Sequence, residues 1–209
     1  MVSFSRLHDI GTDDFVAAME IYSESFPLPE RHPVDIIQRR VSSGQSQLYV
    51  GRGEHGVVFI ALLWPLAGTG FILLDYMATR SEHRQRGIAS SFLEVMHSVL
   101  DDSGATFVIE VENPQYGANR EERQRRVALY RKHGGKELSG VRYLLPPLQG
   151  HSPTEMVLMI LPATGAMSLP ATVARDLVTQ IYRELYERGP DDEFVQACLG
   201  TVADDVRLI

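Results

Sequence analysis

Apolar and polar positions along this chain recur with two periods, and the switches between them outline its elements. Residues 3–9 fit a short first strand. From Thr12 the period lengthens: Phe15, Met19 and Tyr22 share one helical face, and Asp13 and Asp14 suit the positive end of a helix dipole. Pro27 and Pro29 stop that pattern, because a proline disfavours helix in the residue before it. Val34, Ile37 and Val41 then mark a second amphipathic helix over 33–41. Three strands follow at 47–52, 57–65 and 71–79, the first two joined by Gly53-Glu54-His55-Gly56, which suits a hairpin turn. Ile88, Phe92, Val95, Met96 and Val99 predict a helix over 88–101, and 106–111 reads as a strand again. Asn119 with Glu122 three residues on fits a capping box for a helix that stops at Gly134-Gly135. Two last strands are expected at 141–145 and 156–161. Beyond them, 172–188 and 191–206 read as two amphipathic helices joined by Gly189-Pro190.

This order predicts an α/β (mixed α+β) fold with a central, mostly antiparallel sheet flanked by helices and a C-terminal helical extension. The two last helices are too few to form a domain alone, so residues 163–209 are expected to pack on a core domain at 1–162 or on a partner subunit, where a homodimer contact would form.

Composition narrows the picture. At 209 residues, 44% apolar and 22% charged, the chain is long enough for a sizeable core and ordinary for a globular protein. The longest mainly apolar run, 57–66, is about half of what a membrane-spanning helix needs. No secretory pattern opens the sequence, and its single cysteine, Cys198, has no internal disulfide partner. A cytoplasmic protein without a membrane segment or a zinc-type Cys/His cluster is the expectation. The net charge of −7 argues against nucleic acid as a partner, since a phosphate backbone would on average be repelled.

The candidate chemistry lies between the 71–79 strand and the helix after it, in Arg84-Gln85-Arg86-Gly87-Ile88-Ala89. A glycine there lets the backbone approach a ligand, and a small residue two places on keeps that approach open. The helix start adds unpaired N–H groups and the positive dipole end. Together they predict a diphosphate clasp built from backbone, with a plain strand-to-helix turn as the alternative reading of the glycine. There is no Lys-Ser/Thr after the glycine for a nucleotide P-loop, and no G-x-G-x-x-G for a dinucleotide fold.

In element order and motif the sequence resembles the Gcn-related N-acetyltransferase superfamily (GNAT), whose signature is Gln/Arg-x-x-Gly-x-Gly/Ala after the fourth strand. Arg84, Gly87 and Ala89 occupy its three fixed positions, and Leu129-Tyr130-Arg131-Lys132-His133-Gly134 matches a later Leu-Tyr-x-x-x-Gly motif. The resemblance covers roughly residues 3–162. It implies acetyl-CoA as acyl donor, with the backbone of Gln85, Arg86, Gly87, Ile88, Ala89 and Ser90 on the pyrophosphate. It further implies that Met77, Ala78 and Thr79 pair with the pantetheine arm and offer an N–H to the developing oxyanion. Tyr130 falls where relatives keep a tyrosine near the thioester sulfur, a general acid for the departing thiolate; packing on the helix's buried face is the structural alternative.

The base is left open between several carboxylates. Relatives place Glu or His on the fourth strand two or four residues before the position of Met77, where this chain has Asp75 and Leu73. Glu110 and Glu112 share one strand face by alternation and would bind a cationic amine and take its proton; a solvated strand end is the plain reading for both strands. The resemblance places the acceptor along the two early helices, so Glu24, Phe26 and Glu30 are candidates for it, against a reading as surface loop residues. Two positions depart from the family pattern: Arg123 replaces an asparagine that contacts the cofactor, and Gly135 replaces an aromatic. Glu121–Arg125 and Glu122–Arg126 have i,i+4 spacing, which suits a solvated face, with a contact from Arg123 or Arg126 to the adenosine 3′-phosphate as the alternative.

The function expected is an N-acetyltransferase in which a small-molecule or peptide amine attacks acetyl-CoA directly. A non-catalytic acyl-CoA-binding module, or an enzyme with another acyl-CoA or acceptor, is the alternative.

Overall fold

The computed structural model describes residues 2–117, 119–148, 153–161 and 165–209. Two compact units divide it, one formed by the chain up to Pro65 with Leu74–Asp101, the other by Leu66–Leu73, Asp102–Pro147 and the C-terminal segments.

The first unit opens with β1 (Ser3–Leu7), α1 (Asp13–Ser25) and α2 (Val34–Ser42), followed by β2 (Gln47–Gly53) and β3 (Gly56–Pro65). It takes the second half of β4 (Phe71–Thr79) and most of α3 (Ile88–Ser103). Thr12 caps α1, its Oγ1 accepting the Phe15 N–H at 3.3 Å. β1 to β4 follow each other across the sheet in chain order, and β1–β2 and β2–β3 are antiparallel. β3 is buried at eight successive positions, which requires cover on both faces. One face carries Phe15, Met19, Tyr22, Ile37 and Val41 of α1 and α2, packed with Leu48, Ile60, Leu62 and Tyr76. On the other, Phe92 of α3 meets Phe59 with ring centroids 4.9 Å apart and Phe4 at 5.5 Å.

The second unit holds the first half of β4, then β5 (Thr106–Glu112), α4 (Arg120–Lys132), β6 (Lys136–Glu137), β7 (Tyr143–Leu145) and β8 (Thr154–Leu161). From β4 the sheet order continues β5, β8, β6, with β7 also paired to β8. β8 runs antiparallel to β5, β6 and β7, and the sheet is mostly antiparallel with a parallel pair. The C-terminal segments are β9 (Ser168–Pro170), α5 (Ala171–Tyr186), α6 (Glu193–Leu199) and β10 (Asp205–Arg207). They pack inside this unit: Leu177, Ile181, Tyr182 and Leu185 of α5 are buried, and the Tyr182 hydroxyl donates to Leu144 O at 2.7 Å. Among the described residues no helix is long and apolar enough to cross a membrane.

Two expectations are corrected. The Asn119 capping box does not form: Asn119 is left-handed at φ 60° and, among the described residues, its side chain makes no capping hydrogen bond. The helix expected over 191–206 ends at Leu199, because Gly200 and Thr201 break it and Asp204 and Asp205 would set negative charge at the negative end of its dipole. Asp205–Arg207 instead extends and pairs with Ser168–Pro170.

Gly135 explains one departure from the family pattern. Its N–H donates to Tyr130 O at 2.8 Å, and an added Cβ would lie only 2.8 Å from that same oxygen. Gly135→Ala is expected to destabilise the fold by about 1–3 kcal/mol, read as a lower urea midpoint at unchanged slope.

Candidate functional site

In the first unit, β4 leads through a short 3-10 turn, Ser81–His83, into an exposed loop. Arg84 is extended, Gln85 is left-handed at φ 63° and Gly87 at φ 75°. Glycine is required at 87 by that φ and not by crowding, since among the described residues a Cβ there would meet nothing within 4 Å. The first helical bond of α3 runs from the Ser91 N–H to Gly87 O at 2.9 Å. By helix geometry the N–H groups of Ile88, Ala89 and Ser90 therefore point ahead of the helix without intrahelical acceptors. The Arg84 side chain folds back on its own loop, Nε donating to Thr79 O at 3.1 Å and Nη2 to Ser25 Oγ at 3.4 Å. It closes the loop and leaves the backbone to face solvent.

Side chains of the α1–α2 segment meet β4 in the same unit. Tyr22, Phe26 and Tyr76 form an aromatic cluster, with Tyr76 centred 4.8 Å from each of the other two. The Tyr22 hydroxyl donates to His32 O at 3.0 Å, Tyr76 donates to Glu30 O at 3.2 Å, and the His32 N–H donates to Tyr76 at 3.3 Å. Burial pushes both phenols up, so they remain donors across the physiological range. Burial, helped by the Arg40 charge, pushes His32 down to about 4, and its Nε2 is buried without a hydrogen-bond partner among the described residues. Glu30 is thus held by its backbone carbonyl, with its side chain half-buried, and Phe26 is half-buried beside Tyr76. Glu24 is exposed, but its Oε1 accepts the Ser81 N–H at 3.2 Å. Asp75 and Met77 lie on the sheet face opposite the buried Tyr76 and Ala78.

The two glutamates of β5, in the second unit, have different partners. Glu110 accepts from the hydroxyls of Tyr143 and Tyr186, the latter at 3.0 Å to Oε1 and 2.7 Å to Oε2. Burial raises its pKa above the ordinary carboxylate range, against the lowering effect of both phenols. Glu112 is buried and forms ion pairs with Arg123, at 2.9 Å, and with Arg126. The two carboxylates therefore do not form the single acidic pair expected from alternation, and Glu112 is no free charge for a cationic amine. Arg126 turns inward to Glu112 and Arg123 also donates to the carbonyls of Asn113 and Tyr116, while Glu121–Arg125 forms the expected surface pair at 3.5 Å. Tyr130, on the buried side of α4, is pushed up to about 12 by burial, with the Arg126 charge opposing.

Tyr76, His32, Tyr143 and Tyr186 were not among the sequence candidates. Tyr76 had a signal, as an aromatic on the strand that carries Met77; the other three come to their partners through long-range packing alone. Among the described residues no group of three or more His, Cys, Asp or Glu could hold a metal ion.

The Glu112–Arg123 pair is nearly enclosed, with side-chain exposures of 11% and 12%. Glu112→Gln leaves the enclosed Arg123 guanidinium without its counter-ion, and a loss of about 3 kcal/mol is expected in chemical denaturation.

No family model and no curated protein matches this sequence. Solved structures do match its fold. A GNAT-family protein from Bacteroides thetaiotaomicron, named as an acetyltransferase, superposes with a TM-score of 0.74 at 20% identity, over 89% of this chain and 99% of its own. The ribosomal-protein-S18-alanine N-acetyltransferase from Escherichia coli gives 0.59 at 20% identity, over 79% of this chain and 96% of its own. A GNAT-family acetyltransferase from Elizabethkingia anophelis, solved with acetyl-CoA bound, gives 0.55 at 15% identity over 77% and 97%. The chain has the fold of the GNAT acetyltransferases.

Proposed function

We propose that this protein is an acetyl-CoA-dependent N-acetyltransferase, with an acyltransferase domain at 1–162 and an extension at 163–209. The observation that carries the reading is the exposed loop with Gln85 and Gly87 left-handed, ahead of the free N–H groups of Ile88–Ser90, in a chain with the GNAT fold. Successive N–H groups in such a turn, with a helix dipole behind them, suit the diphosphate of coenzyme A. In this reading the loop from Arg84 to Ser90 grips the diphosphate, and the backbone of Met77, Ala78 and Thr79 orients the pantetheine and the thioester carbonyl.

An amine nitrogen attacks the thioester carbon, and the resulting oxyanion is stabilised by backbone N–H groups at the end of β4. The C–S bond then breaks, giving an acetamide and a coenzyme thiolate. Tyr130 protonates the sulfur; with its pKa near 12 it keeps its proton at neutral pH until the thiolate forms. Glu110 takes the proton released by the amine, and solvent re-equilibrates both groups. Asp75 is the alternative base. Phe26, Glu24 and Glu30 line the approach of the acceptor, an amine on a small molecule or a peptide. The acceptors named for structural neighbours include a ribosomal protein's alanine, which supports an amine as the class.

The test is calorimetric titration with acetyl-CoA, CoA and ATP, then thiol release with a panel of amines. Binding of both coenzyme species but not ATP, with amine-dependent thiol release, is expected. Absence of coenzyme binding overturns the reading. Tyr130→Phe should slow kcat by about 100-fold or more while leaving acetyl-CoA affinity intact. A non-catalytic acyl-CoA-binding module would show binding without release and would not respond to that change.

A base must be deprotonated to act, and burial raises the Glu110 pKa, so kcat/KM should fall as pH drops through a midpoint above the ordinary glutamate value of about 4.3. Glu110→Gln should remove this acidic limb from the residual rate. A limb that survives in that variant assigns the base elsewhere.

A further inference from the structure

We infer that Tyr186, on the C-terminal helix α5, is a positioning residue for Glu110, so that the extension beyond the acyltransferase core supplies part of the base. The inference rests on the reading of Glu110 as the base and adds a role to a segment that reading leaves idle.

Tyr186 is the last residue of α5, and its hydroxyl straddles the Glu110 carboxylate at 3.0 Å and 2.7 Å from the two oxygens. Tyr143 of β7 donates to Oε1 from its own side. The single Tyr186 hydrogen is shared between the two oxygens, nearer Oε2, so the two phenols fix the carboxylate plane and leave lone-pair capacity on Oε2 to receive a proton. Tyr186 is itself located by packing. Its neighbour one turn back, Tyr182, is fully buried, meets Tyr143 at a tilt with centroids 5.1 Å apart, and is tied to Leu144 O at 2.7 Å. Tyr182 and Tyr186 also meet edge to face at 6.1 Å. After Tyr186 the helix ends at once, Glu187 turning left-handed at φ 54° while the Arg188 N–H returns to Tyr182 O at 3.0 Å. The α5 terminus is thus held where its final side chain reaches β5.

A phenol is suited to this task in a way that an arginine or lysine is not. It donates a hydrogen bond that steadies the ionised carboxylate, yet carries no charge that would hold the carboxyl permanently ionised and unable to cycle a proton. Glu112, two residues along the same strand, shows the contrast: its carboxylate is taken up in ion pairs with Arg123 and Arg126.

The test is a carbon NMR titration of the side-chain carboxyls in glutamate-labelled, full-length protein, with the Glu110 resonance identified by its loss in Glu110→Gln. In Tyr186→Phe the Glu110 midpoint should move up by about one pH unit, because a donor to its charged form is lost. The acidic limb of thiol release from acetyl-CoA, measured with an amine from the panel above, should move by the same amount, and Tyr143→Phe should act in the same direction. An unmoved carboxyl titration in folded Tyr186→Phe overturns the inference. A carboxyl titration that moves without the rate profile keeps the coupling of the two residues and overturns Glu110 as the base. Should Tyr186→Phe fail to fold, the Tyr186 ring carbon bearing the hydroxyl is followed in the wild-type protein: tracking the Glu110 titration supports the inference, and indifference to it overturns it.

Discussion

A carboxylate on a packed strand must find donors inside the protein, and β5 carries two. Burying an ionised carboxyl without partners costs several kcal/mol, a large share of the stability of an ordinary domain. Much of the second unit reads as the answer to this constraint. α4 contributes Arg123 and Arg126 to Glu112, and Arg123 goes on to bind the carbonyls of Asn113 and Tyr116. The segment before α4 is shaped by that arginine: a Cβ on Gly117 would come within 3.0 Å of its guanidinium. α5 and β7 contribute tyrosines to Glu110. The placement of three elements is in this sense set by two side chains of a fourth.

The first unit follows a different logic, in which the proposed recognition of the coenzyme would fall to backbone. Its signature loop has charged side chains, but Arg84 bonds the Thr79 carbonyl and Ser25 and so spends its donors within the fold. What faces outward is a turn with two left-handed residues and the first turn of α3. Such a surface requires little of residue identity beyond the glycine, which fits a loose sequence motif and a chain that matches solved GNAT folds at only 15–20% identity. The nearby tyrosines Tyr22 and Tyr76 serve the same economy. Their hydroxyls engage the backbone of Glu30 and His32, so they hold the α1–α2 segment without specifying its outward side chains.

How far the sequence announces these features depends on range. The strand at Phe71–Thr79 and the helix beginning at Ile88 stand where periodicity and a glycine place them, because both signals act over a few residues. The signature loop was legible for the same reason. The Asn119 capping box was not: the spacing fits the motif, but Asn119 turns left-handed and, among the described residues, its side chain makes no capping hydrogen bond. The helix expected over 191–206 failed because a run of apolar residues at helical spacing also fits a short helix followed by an extended segment, and only pairing with Ser168–Pro170 chooses between them. Glu110 was legible as an acidic residue where strands disfavour one, but its partners lie 33 and 76 residues away. No local pattern carries a contact at that separation.

The different treatment of Glu110 and Glu112 bears directly on function. Two carboxylates on one face, equally solvated, would titrate alike and offer no division of labour. Here the choice of partner separates them. Arginines stay charged at every accessible pH, and the carboxylate of Glu112, paired with two of them, becomes part of the frame. Tyr143, whose pKa burial pushes well up, stays a neutral donor, and both phenols lower Glu110 only against the opposing effect of its burial. Glu110 thereby keeps the capacity to exchange a proton in a fixed orientation, the property a general base needs. Half of this arrangement comes from α5, so the base proposed for this protein draws on the C-terminal extension as well as on the sheet.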